Sequence, residues 1–153
     1  MSQAQEKPDN NARRLARLAA VQGLYQLALG DESEAQLIAR FRADPGVLLQ
    51  EEQTLLAVDG DMFAAIVSGV TKNQADLDAM LAGATDARLS SARMEPLLKA
   101  ILRAGLFELQ HSPGVASGII INDYVDVAHG FFDAKEPGLV NAILDRLGKT
   151  LRG

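Results

Sequence analysis

Residues 97–110 read LLKAILRAGLFELQ, and the positions of the apolar side chains in this stretch decide the fold class. Leu97, Leu98, Ile101, Leu102, Gly105, Leu106 and Leu109 recur at steps that gather them on one broad face of an α-helix; in a strand they would fall on both faces. A helix with so wide an apolar face belongs at the centre of a core, and His111-Ser112-Pro113-Gly114 ends it. Arg103 and Glu108 interrupt it. A structural ion pair, or a core charge tied down by hydrogen bonds, explains these two charges more simply than a ligand contact.

The same periodicity extends in both directions. Toward the C-terminus, Ser117 is placed to cap a helix carrying Ile120, Ile121, Tyr124, Val125, Val127 and Ala128. Pro137 suits the first turn of a last helix that buries Leu139, Val140, Ile143, Leu144 and Leu147. The run IIIN at 119–122 has the composition of a strand, but no second strand candidate exists to pair with it, so it reads as helix. Asn122 and Asn141 lie in apolar surroundings, where a buried amide commonly ties backbone ends together; both are expected to be structural. Toward the N-terminus, residues 83–92 read as a loop, 76–82 as a short helix, and Met62, Phe63, Ile66, Val67 and Val70 as the inner stripe of a helix capped by Asp59 or Asp61 and ending near Asn73. Residues 47–57 carry no decisive pattern. A helix from Ser33 to Arg42 stops at Asp44-Pro45-Gly46, and the first helix opens at Asn10 or Asn11 and closes at Gly30. The expectation is an all-α protein of about seven helices, with residues 1–9 as a flexible N-terminal tail and 10–153 as a single domain.

Composition narrows the function. The chain of 153 residues carries a formal charge of -5, which argues against indiscriminate binding to phosphate backbones while leaving room for a local basic patch. It contains no cysteine, which excludes disulfides, zinc ribbons and thiol catalysis. The polar start MSQAQEKPD lacks the apolar run of a signal peptide, and no long uncharged apolar stretch follows, so a soluble cytoplasmic protein without membrane contact is expected. His111 and His129 stand alone, with no metal-ligand spacing. Asp123 and Asp126 read as solvated helix positions or partners of nearby bases. No Walker sequence, dinucleotide fingerprint or nucleophile elbow occurs, so the sequence offers nothing for catalysis, metal or cofactor.

One local concentration of charge stands out. In ARRLARLAAVQGLYQ, residues 12–26, Arg13, Arg17 and Arg14 fall at 0°, about 40° and about 100° around a helix, so they share one face, with Tyr25 near the line of Arg14. Residues 10–30 hold no acid to neutralise them. Arginines fork onto phosphates and a tyrosine offers a stacking surface, the combination that single-stranded RNA recognition uses; a solvated helix face with a core tyrosine is the plainer alternative.

Four blocks resemble the NusB family of transcription antitermination factors: RRLARLAAVQGLYQ at 13–26, KAILRAGLFEL at 99–109, IIINDYVDVAHGFF at 119–132 and LVNAILDRL at 139–147. With Asp59 to Leu81 they cover most of the chain; residues 31–58 carry little of the likeness. The resemblance implies two small packed helix bundles without cofactor or catalysis. It also implies binding to the boxA segment of ribosomal RNA leader transcripts together with NusE, a protein of the small ribosomal subunit, in a complex with RNA polymerase and other Nus factors. By position, Arg13, Arg14 and Arg17 would be the remnant of an arginine-rich RNA-binding motif, with Tyr25 at the RNA or NusE surface, Phe131 available to stack and Lys135 to meet phosphate. On that reading, replacing Arg14 and Arg17 by alanine weakens RNA binding without altering helical content.

The chain departs from the family pattern in several places. Leu15 stands at a position often basic in relatives, Gly138 and Leu139 replace a basic residue and an aromatic seen in some, and Asn122-Asp123 shortens an Asn-Glu pair. These departures imply greater dependence on NusE for RNA binding. Homodimerisation, which some members show, is compatible with the aliphatic content. The RNA-binding domain of certain ribosomal RNA methyltransferases is similar, but such an enzyme needs a catalytic cysteine, which this sequence lacks. The other alternative is a helical protein-interaction module without specific RNA binding.

Overall fold

The computed structural model describes residues 10–85 and 94–153. The chain there forms eight α-helices and no strand: α1 (Asn10–Leu29), α2 (Glu34–Ala43), α3 (Glu51–Thr54), α4 (Gly60–Lys72), α5 (Gln74–Ala84), α6 (Pro96–His111), α7 (Ser117–Phe131) and α8 (Glu136–Arg152). A single 3-10 turn, Pro45–Val47, lies between α2 and α3. The tail expected over residues 1–9, most of the loop expected over 83–92, and Arg93 lie outside the described residues. Among the described residues no helix is long and apolar enough to cross a membrane.

Local chemistry sets most helix boundaries. Ser33 closes a capping box on α2, its hydroxyl accepting from the Gln36 amide while the Gln36 side chain accepts from the Ser33 amide. Asp59 caps α4 through Met62 N at 2.9 Å, and Glu95 caps α6 ahead of Pro96. The Asn73 amide donates to Gly69 O and closes α4, after which the chain re-enters a helix at Gln74, earlier than position 76. Residues 47–57, which carry no readable period, hold the end of the 3-10 turn at Val47 and the one-turn helix α3, both too short for a periodicity to register.

Ser117 does not cap α7. The helix starts at Ser117 with Ala116 before it, and the Ser117 hydroxyl accepts instead from Arg152 Nη1 at 3.1 Å. Arg152 also donates to the carbonyls of Leu109, Ser112 and Val115, so this one guanidinium satisfies the open carbonyl end of α6 and the turn into α7.

The helices pack as two groups around one continuous apolar cluster. α1, α2 and α4 form the first, α5 to α8 the second, and α1 lies directly on α6 where they meet. Ala16, Ala19 and Ala20 are fully buried and let α1 approach its neighbours closely; Phe41 stacks on Phe63 at 4.0 Å beneath them. Gln22 donates to Leu48 O at 2.7 Å and holds the segment before α3 against α1.

Asn122 and Asn141 are exposed, against the expectation of buried amides. Each is turned outward by helical geometry: Asn122 shares its side of α7 with the exposed Ile119 and Asp126, and Asn141 shares its side of α8 with Gly138 and Asp145.

Gly105 lies where α6, α7 and α8 converge. A Cβ there would stand 2.7 Å from Leu144 Cδ1 and 3.3 Å from a Tyr124 ring carbon, both on fully buried side chains. Gly105→Ala is expected to cost about 1–3 kcal/mol by overpacking, whereas Gly83→Ala, with nothing within 4 Å of its Cβ, is expected to gain a few tenths. Urea unfolding of both variants checks the contrast; equal effects would contradict the packing at Gly105.

Candidate nucleic-acid interface

Helix α1 carries no acid, so each of its arginines that finds a carboxylate must find it on another helix. Arg17 does so in the core. Its side chain is 2% exposed, and Nε and Nη2 fork onto the two Glu108 oxygens of α6 at 2.8 Å each, while Nη1 donates to Asp123 Oδ2 of α7 at 2.7 Å. The Tyr124 hydroxyl donates to Glu108 Oε2 at 2.5 Å and completes the cluster.

Burial opposes the charge on Arg17, but the hydrogen bonds and charge of Glu108, together with Asp123, outweigh it and hold the guanidinium more basic than an exposed one. Burial, followed by the neighbouring charge of Glu108, pushes the Tyr124 phenol well above its ordinary range. The Arg17 guanidinium is therefore engaged in the core rather than presented to solvent, and it is the cation that permits two carboxylates at the junction of α1, α6 and α7.

The expectation that all three arginines face solvent fails for a geometric reason. They do share a sector of α1, but Arg17 is its middle member, and that middle points between α6 and α7. Arg13 is left half-buried on one flank, without an ion pair among the described residues, and Arg14 lies exposed on the other, paired with Asp123 and Asp126. Removing Arg17 would disturb the core, so Arg14→Ala with Arg17→Ala would not leave the fold unaltered. Arg103 and Glu108 do not pair with each other, since five residues turn them about 140° apart. Arg103 instead forks onto Asp78 of α5 at 2.8 Å.

Arg14 stands at a cleft between α1, α7 and the α3 segment, lined by Leu18, Gln22, Gln53, Leu56 and Phe131, with Asp123 and Asp126 on the α7 side. Phe131 is 39% exposed and Leu56 54%. Arg14 Nη2 meets Asp126 Oδ2 at 3.1 Å, and its Nε lies 3.7 Å from Asp123 Oδ1. Across the linked set, two guanidinium groups face three carboxylates, so Arg14 and Arg17 present no bare positive charge. Arg13, Tyr25 and Lys135 lie outside the cleft lining; Tyr25 is half-buried and Lys135 exposed. Tyr25 continues the stripe of Asn11, Arg14, Leu18 and Gln22 one turn further along α1.

Sequence reasoning offered Asp123 and Asp126 as partners of nearby bases without identifying those bases, and the structure pairs them with Arg17 and Arg14. The signal was present as matching spacing: Arg14 and Arg17 are three apart, Asp123 and Asp126 are three apart, and two antiparallel helices bring Arg17 to Asp123 and Arg14 to Asp126. Among the described residues no group of three or more His, Asp or Glu is placed to hold a metal ion.

Two outcomes follow from the buried cluster. Arg17→Met strands Glu108 in the core and is expected to cost about 3–5 kcal/mol, most of it recovered in Arg17→Met with Glu108→Gln, which removes the stranded charge and keeps an acceptor for Tyr124. Denaturant unfolding of the two variants decides this, and an additive loss would contradict it. The raised Tyr124 phenol stabilises the fold fully below the unfolded tyrosine value, and that contribution is lost as pH rises above about 10. Tyr124→Phe is therefore expected to be less stable near neutrality by about 1.5–3 kcal/mol and to lose less stability in alkali than the parent, as unfolding at the two pH values would register.

Comparison with known proteins agrees with this architecture. The NusB family profile matches residues 14–149. The transcription antitermination protein NusB of Rhizobium rhizogenes is 40% identical over 154 residues, covering 99% of this chain and 96% of the relative. Among solved structures, T. maritima NusB superposes with a TM-score of 0.72 at 20% identity, over 94% of this chain and 92% of that one. A chain from the crystal structure of antitermination factors NusB and NusE in complex with dsRNA gives 0.71 at 20% identity, over 90% and 96%. At that identity the structures establish the shared helical fold, and the near full-length sequence match carries the assignment further: this chain belongs to the NusB family.

Proposed function

We propose that this chain is a transcription antitermination factor that binds boxA RNA of ribosomal RNA leader transcripts together with NusE, and that it joins RNA polymerase and other Nus factors through that complex. The observation that carries the reading is the match to antitermination proteins over nearly the whole chain. Its role is binding rather than catalysis, and it acts in the cytoplasm. The shared fold with a chain solved alongside NusE and dsRNA supports RNA and NusE as partners.

On this reading the RNA surface is built from Arg14 and Phe131 in the cleft, with Arg13, Lys135 and Tyr25 around it, Tyr25 also bordering NusE. Phe131 supplies an exposed ring against which a base stacks, and Arg14 a guanidinium that forks onto phosphate. Arg17 positions this surface from behind through Asp123. The near-balance of charge around Arg14 makes RNA binding by this chain alone weak, so NusE supplies part of the affinity. A homodimer through the same cleft, where Leu56 and Phe131 are exposed, would compete with RNA.

The test is a titration against boxA RNA and a scrambled control, with and without NusE, at two salt concentrations. Selective binding that NusE strengthens is expected, and Arg14→Ala should lower affinity and reduce the salt slope by roughly 0.7, the value of one contact to a single strand. Equal weak binding to both RNAs, indifferent to NusE and salt, would instead identify a helical protein-interaction module.

A further inference from the structure

The two carboxylates that face Arg14 are held differently. Asp123 is 14% exposed and fixed by Arg17 Nη1 at 2.7 Å, so it cannot swing aside without unpairing a buried guanidinium. Asp126, one turn later on α7, is 57% exposed, and among the described residues its carboxylate accepts one hydrogen bond, the one from Arg14. The Arg14 side chain is itself 54% exposed, and the pair opens directly on the cleft that Phe131 borders. An exposed ion pair of this kind has little net strength, because water competes for both groups.

We infer that Asp126 is an internal competitor for RNA: its carboxylate occupies the phosphate position on Arg14 in the free protein, and RNA binds by exchanging that carboxylate for a phosphate. This rests on the RNA-binding reading above and adds to it a residue that sets affinity and selectivity. Asp126 is the displaceable counter-ion, and Asp123 is the fixed one that orients the guanidinium. A lone phosphate gains nothing from the exchange, since it replaces one anion on Arg14 by another. A polynucleotide gains, because stacking on Phe131 and contacts to neighbouring phosphates accompany the swap. The acid thereby biases the cleft against small anions and against weakly held RNA.

The experiment is a boxA titration, with NusE present, of the parent, Asp126→Asn, Asp145→Asn, Arg14→Ala and the Arg14→Ala with Asp126→Asn double variant. Asp126→Asn keeps the shape of the side chain, removes the charge and leaves the fold intact. It is expected to raise affinity about threefold at low salt, because RNA no longer has to break an exposed ion pair to reach Arg14, and less as salt rises. Asp145→Asn changes the net charge equally, at an exposed pair with Lys149 on α8, and is expected to leave affinity unchanged. In the Arg14→Ala background the gain from Asp126→Asn should shrink, since a competitor has no effect once the contested group is gone. Parent binding with no gain in Asp126→Asn, or a gain that Asp145→Asn matches, overturns the competitor and leaves the RNA reading standing. Absence of boxA binding by every variant overturns both.

Discussion

The guanidinium of Arg17 makes the interior of this protein possible in its present form. Without it, Glu108 would be a bare carboxylate at the meeting point of three helices, and Asp123 would lose the contact that fixes it. A buried fork of this kind contributes less net stability than its short distances suggest, because both charges give up hydration. Its stronger effect is on register. A guanidinium that must meet Glu108 and Asp123 together allows one rotation of α1 and one height relative to α6 and α7. The flanking positions Arg13 and Arg14 are thereby aimed as well.

Most of the fold was legible because the apolar residues repeat cleanly at helical spacing over long segments, as at Leu98, Ile101, Leu102 and Leu109, all of which are buried. Short elements were not legible, since one turn of helix at Glu51–Thr54 contains no repeat to read. The candidate site was legible only in part. A helical wheel identifies which residues share a face but not what that face meets, and three arginines in a row of angles look the same whether they face water or acids. What the wheel lacked was the second helix. Asp123 and Asp126 sit more than a hundred residues away, and only tertiary packing places them opposite Arg17 and Arg14. Asn122 and Asn141 failed for the converse reason: apolar neighbours in sequence are not neighbours on a helix face.

The cleft combines features that appear contradictory for a nucleic-acid surface, with exposed apolar side chains and acids beside an arginine. They agree if affinity is meant to be shared between subunits. A strongly cationic groove would bind any RNA in the cell, whereas a nearly neutral one that offers stacking and a single contested guanidinium depends on a partner and on several simultaneous contacts. The net acidity of the chain fits the same logic, since it discourages approach except where local geometry rewards it.

The distance along the chain between Arg17 and its partners has a further consequence. Glu108 follows it by 91 residues and Asp123 by 106. As the polypeptide leaves the ribosome, α1 emerges before α6 and α7, which carry the carboxylates that pair with Arg17 in the folded protein. The interface of α1 with α6 and α7 closes only once α6 and α7 have arrived, so its contacts are long-range ones of the kind that form slowly. Until then the arginines of the first segment lack the carboxylates that they meet in the folded protein.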